Sequence, residues 1–236
     1  MFAIFKKELR AYFISPVGYV YTGIFLAAAA LICAFTTIQQ ASYNTTSYFQ
    51  YMIFTFIILI PLLTMRLFSE ERKMRTEQLL LTAPVSITGM VLGKYLAAVS
   101  ILAVSLLCSM IFPLAMAIFG NPAWGEILTS YLGCLLLGSA LIALGLFLSS
   151  LTDSQAIAAI TTLVVVLLLY VANMIGPYLN VAWLTTIISW FSIFSRYDYF
   201  YAGLIDLPAI IYFVSFSAVF VFLTIRTVEK RRWSEG

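Results

Sequence analysis

Long uncharged stretches organise this chain. Residues 11–65 and 154–195 contain no Asp, Glu, Lys or Arg. A helix needs about 20 apolar residues to cross a hydrocarbon core. On that measure the apolar runs predict six spans, at about 17–38, 49–68, 90–119, 127–149, 155–176 and 207–226. Pro61 and Pro113 fall inside the second and third runs and predict kinks, because proline cannot donate the next helical hydrogen bond. Gly176-Pro177 closes the fifth run, and Asp206 and Pro208 open the sixth as cap and first-turn residues. Ahead of the spans, residues 2–14 place Phe2, Phe5, Leu9, Tyr12 and Phe13 at three- and four-residue steps, with Lys6, Lys7, Glu8 and Arg10 on the other side. That pattern predicts an amphipathic helix lying in the membrane interface, ended by Ser15-Pro16. The expected fold is an all-α membrane protein, with residues 1–236 forming a single transmembrane domain.

Composition supports a lipid-embedded chain. It is 63% hydrophobic and 10% charged, with a mean hydropathy of +1.02, whereas a soluble domain runs near 25% charged. The first apolar run extends from near Val17 past Ala34, too long for a signal-peptide core, and so reads as a retained span. Charge then orients the bundle. Lys6, Lys7 and Arg10 lie before span one, and Arg66, Arg72, Lys73, Arg75 and Lys94 lie around the link between spans two and three. Arg226, Lys230, Arg231 and Arg232 follow span six. Every Lys and Arg except Arg196 therefore falls on one side, which the positive-inside rule makes cytoplasmic, together with both termini. The net charge of +3, clustered at membrane edges, suits anionic lipid headgroups rather than nucleic acid.

Candidate chemistry is sparse. Histidine is absent, which removes the commonest general base and metal ligand. Cys33, Cys108 and Cys134 sit in apolar runs without CxxC spacing and read as packing residues. Glu126 reads as an exposed first-turn residue of span four, and Asp153 as the helix cap of span five. Arg196 and Asp198 are close enough to pair, an exposed contact worth under about 1 kcal/mol. No ionisable residue falls in the middle of a span, which argues against a proton relay or ion-coupled carrier. An intramembrane enzyme is disfavoured too, since Asp153 and Glu126 fall on opposite sides. No catalytic or metal residue is assigned. Small residues mark packing faces: Gly23 and Ala27 to Ala30 in span one, Gly133, Gly138, Ser139, Ala143 and Gly145 in span four, and Ala156, Ala158 and Ala159 in span five.

Two links stand out. After span two, Glu70, Glu71, Arg72, Lys73, Arg75 and Glu77 give dense mixed charge, Leu79-Leu80-Leu81 an apolar knob, and Thr82-Ala83-Pro84 a chain break, with a helix restarting near Ile87. Composition alone leaves this either a docking segment for a partner protein or a set of interface-facing charges. Between spans five and six lie Trp183, Trp190, Phe191, Phe194, Tyr197, Tyr199, Phe200 and Tyr201, an aromatic, helix-capable segment expected at the outer interface. It reads as a surface anchor or as a lid over an exit path.

The stretch Glu70-Glu71-Arg72, Thr76, Leu79-Leu80-Leu81-Thr82-Ala83-Pro84-Val85 and Gly93-Lys94-Tyr95 resembles the coupling segment of ABC-2-type transporter permeases, in particular the gliding-motility branch and the similar permeases of nitrous-oxide-reductase maturation. Three other places resemble the family: Phe5-Lys6-Lys7-Glu8-Leu9 with Ser15-Pro16, Ser149 to Gln155, and Tyr197-Asp198-Tyr199-Phe200 with Gly203 to Asp206. Arg75 departs from it, standing where a glycine is expected. The resemblance implies a permease of the bacterial inner membrane that works as an exporter. It implies a homodimer formed through spans one and five and, in some relatives, an auxiliary external-facing subunit. It also implies a separate cytoplasmic ATPase subunit holding ATP and Mg, in keeping with the lack of a G-x-x-x-x-G-K-[ST] motif here. Glu70, Glu71, Arg72, Thr76, Leu79, Leu80, Leu81 and Pro84 would meet that ATPase. Phe5, Lys6, Lys7, Glu8 and Arg10 would form the interfacial helix, and Trp190, Arg196, Tyr197 and Asp198 the external segment. The rival reading is a non-transporting membrane anchor or channel subunit. The substrate is not legible.

Overall fold

The computed structural model describes residues 2–38, 45–74, 86–119, 123–175 and 192–234, and among these all regular structure is helical. Helix α1 spans Phe2–Ile14, and Pro16 then opens α2 (Pro16–Cys33) from an extended Ser15. A wider π-helical turn at Ala34–Ile38 ends α2. Next come α3 (Thr46–Thr64) and the short α4 (Ser69–Lys73). The third span is α5 (Ile87–Ser109), where Ser86 Oγ accepts from Gly89 N at 3.3 Å as the cap, followed by α6 (Ile111–Phe119). Helices α7 (Trp124–Leu151) and α8 (Gln155–Ile175) form spans four and five. Helix α9 (Ile193–Tyr201) precedes α10 (Leu207–Ser234), in which Ala209 N donates to the capping Asp206 at 3.2 Å.

Among the described residues six helical stretches are long and apolar enough to cross a membrane, and they match the expected spans to within a few residues except at two places. Helix α10 continues past the expected end to Ser234. The third span is broken at Met110. Pro113 explains the break, because it has no N–H for the Ser109 carbonyl and its ring crowds that oxygen. The chain tightens instead, with Met110 N bonding Leu107 O at 3.2 Å. Helix α3, by contrast, runs unbroken through Pro61 and ends three residues later.

Spans two and four form the centre. Their most apolar windows are 72% and 67% buried, against 28% for span one, 17% for span five and 28% for span six. Glycines let span four sit there. A Cβ on Gly133 would lie 2.5 Å from Phe200 Cβ, one on Gly138 would collide with Leu102, and one on Gly145 would collide with Thr64. The small-residue face of span four is thus an intramolecular seam against α9, α5 and α3. Gly23 of span one meets nothing within 4 Å, so its face points outward.

Helix α1 packs chiefly on α5. Its packed line is Ile4 and Tyr12, both buried, with the part-buried Glu8 between them, while Phe2 and Phe13 are exposed. This corrects the expected amphipathic division: Glu8 belongs to the packed face. Gly93 of α5 makes the approach possible, since a Cβ there would come within 3.2 Å of Phe5 N.

Candidate functional site

Span two ends in a turn that four other parts of the chain hold in place. From Met65 to Phe68 the backbone leaves the helix before α4 begins, so several polar groups need new partners. Ser149 of α7 supplies most of them. Its Oγ accepts from Phe68 N at 3.3 Å and Ser69 N at 3.4 Å and donates to Met65 O at 3.3 Å. Ser69 Oγ also donates to Met65 O. Tyr12 of α1 donates its hydroxyl to Leu63 O at 3.4 Å. Burial, reinforced by the Glu8 carboxylate, pushes the Tyr12 phenol well above its usual range and keeps it a neutral donor.

Charge completes the junction. Arg66 clamps Glu70 through Nε and Nη2, both at 2.8 Å. That hydrogen bonding holds the Glu70 carboxyl below the usual carboxylate range despite some burial. The pair's contribution is therefore present above the ordinary carboxylate pKa and lost as pH falls through the lowered one. With side chains 27% and 41% exposed, it is worth no more than about 1 kcal/mol. Glu71 Oε1 lies 2.9 Å from Lys94 Nζ, and Lys94 Nζ lies 3.2 Å from Glu8 Oε1. Lys7 Nζ stands 3.8 Å from Glu71 and 3.9 Å from Glu8. Lys94 also sits 5.3 Å over the Phe68 ring, within cation–π range. Arg72 pairs with Asp153 in the turn between α7 and α8. Asp153 thus serves an inter-element ion pair, correcting its reading as a cap. The first backbone bond of α8 is Ala158 N to Ser154 O at 2.9 Å.

A cleft of about 230 Å³ separates α1 from the turn, lined by Lys7, Glu8, Tyr12, Arg66, Glu70 and Lys94 among others. Its charges largely compensate one another. Among the described residues no group of three or more His, Cys, Asp or Glu could hold a metal ion. The arrangement suits a mechanical joint, since opposed charges and shared hydrogen bonds fix the relative position of five elements.

The structure therefore brings Glu70 and Glu71 together with Lys7 and Glu8 of α1 around one cleft, while Arg72 pairs with Asp153. Lys6 and Arg10 are exposed on a separate basic face of α1, and Phe5 packs near Phe2 with ring centroids 6.3 Å apart. Thr76, Leu79, Leu80, Leu81, Pro84 and Trp190 lie outside the described residues. In α9, Tyr197 is fully buried, donating to Phe49 O at 3.2 Å and lying 3.1 Å from Cys134 Sγ. Arg196 stacks on Tyr212 at 5.0 Å, in place of the expected Arg196–Asp198 pair. The aromatic segment is docked into the bundle: Ile193, Phe194, Tyr197 and Phe200 are buried along one face of α9.

Sequence reasoning treated Lys94 as one more charge of a basic link and missed its burial. A signal was present. Met90, Val91, Ala97, Ala98 and Ile101 form a buried helical stripe, and Lys94 falls on that stripe.

These features define a polytopic helical membrane protein whose ionic network is concentrated at one end of the bundle. The family model of ABC-2 family transporter proteins matches residues 2–228, so the chain belongs to that family and is a multi-pass membrane permease. Comparison with curated proteins gave no match.

Proposed function

We propose that this chain is the membrane-spanning subunit of an ATP-driven exporter of the gliding-motility branch, coupled to a separate cytoplasmic ATPase. The observation that carries this reading is the braced turn at Arg66–Met74, which leads directly into residues 75–85. A segment that receives force from a partner needs a stiff base, or its displacement dissipates locally. The base here is fastened to α1, α5, α7 and the α7–α8 turn.

In this reading Glu70, Glu71 and Arg72 hold the base, since each is engaged within the chain. Leu79, Leu80 and Leu81 form the tip that the ATPase grips, by burial worth roughly 25 cal/mol per Å². The partner holds ATP and Mg, and its closure moves the segment and then the spans. A second permease copy completes the path, packed on the outward faces of spans one and five, the least buried at 28% and 17% with span six. Both termini face the cytoplasm, as the basic residues at that end favour.

The test is the double variant Leu79→Asp with Leu80→Asp, expressed with the ATPase subunit. Loss of co-purification and of permease-dependent ATP turnover in lipid is expected. Unchanged assembly and turnover would remove the docking role.

A further inference from the structure

Lys94 occupies a costly position. Its side chain is 2% exposed, and the buried positions around it on α5, Met90, Val91, Ala97, Ala98 and Ile101, are apolar. Two carboxylates from two other elements compensate it: Glu71 of α4 and Glu8 of α1, at 2.9 and 3.2 Å. Lys7 is farther from both and 60% exposed, so water weakens its part. Helix α1 packs mainly on α5 and α2, and α4 packs on α8. Among the described residues the charged tie between α1 and α4 thus runs largely through one ammonium group. Without it, Glu8 and Glu71, both poorly hydrated, would lose the cation they share.

We propose that Lys94 is the positioning residue that makes α1, the Arg66–Met74 turn and the start of span three move as one body. A push arriving at residues 75–85 then reaches the interfacial helix and the span together. The proposal rests on the docking reading above for the source of the push alone. Its test uses the permease without any ATPase, so the two can fail separately.

Hydrogen exchange is measured on the full chain in lipid nanodiscs over residues 2–14, 66–74 and, as a control, 124–151. Lys94→Met should speed exchange in the first two segments together, by at least about tenfold, and leave the control unchanged. Lys94→Arg should stay within about threefold of wild type, because a guanidinium can serve both carboxylates. Should Lys94→Met fail to fold, the triple variant with Glu8→Gln and Glu71→Gln removes the charges while keeping the shapes. It should show the same paired loss of protection. Loss in one segment alone, loss that extends across 124–151, Arg behaving like Met, or a triple variant protected like wild type would each overturn the proposal.

Discussion

Lys94, Tyr197 and Gly133 show how much a single position can depend on distant chain. Lys94 meets a carboxylate 86 residues away, and Tyr197 bonds a carbonyl 148 residues away. Neither partner can be read from local spacing. Gly133 looks like any small residue of an apolar run, yet Phe200 and Tyr197 both press on it. Substitution Gly133→Ala forces an added carbon into that seam, and overpacking of this kind costs about 1–3 kcal/mol. The thermal midpoint in detergent should fall for Gly133→Ala and hold for Gly23→Ala, whose added carbon meets nothing within 4 Å. Equal midpoints for the two variants would contradict the seam.

At the scale of elements, the helices were legible because each is written in its own residues. The 3.6-residue recurrence marked α1, Asp206 and Pro208 marked the start of α10, and Pro113 marked a fault in span three. What was not legible was which helix faces meet. Glu8 read as an outward charge because the charged side of α1 is judged against water, whereas α5 offers a lysine there. The turn after span two depends on Ser149, a residue of another span. Ser149→Ala leaves the Phe68 and Ser69 N–H groups short of a partner, while Met65 O keeps the Ser69 hydroxyl, at about 1–3 kcal/mol for an unsatisfied buried group. Faster hydrogen exchange across 66–74, with exchange over 193–201 unchanged, is the expected result. No change at 66–74 would mean that the turn holds without Ser149.

At the scale of the whole molecule, charge and hydrophobicity divide the chain into two ends and a waist. Glu126 opens span four at one end and Glu229 lies near the close of span six at the other. If both termini are cytoplasmic, a membrane-impermeant maleimide should label Glu126→Cys in intact cells and label Glu229→Cys after permeabilisation, with Cys33, Cys108 and Cys134 replaced by alanine. The reverse pattern would invert the orientation and remove the ATPase from the proposed side. The outward faces of spans one and five belong to this scale as well. Ile157, Ile160, Val164, Leu168 and Val171 of span five are exposed in the single chain, as lipid or a second copy requires.

Local composition was enough to establish six stretches apolar and long enough to cross a membrane, a leading helix and a clustering of basic residues. A hydrocarbon core rejects charges and unsatisfied backbone groups residue by residue, whatever the neighbours are. The central place of span four, the inward face of α1, the docking of α9 and the clasp around Lys94 came from packing. Each depends on which surfaces exclude water from one another, and that is a property of pairs of segments far apart in the chain.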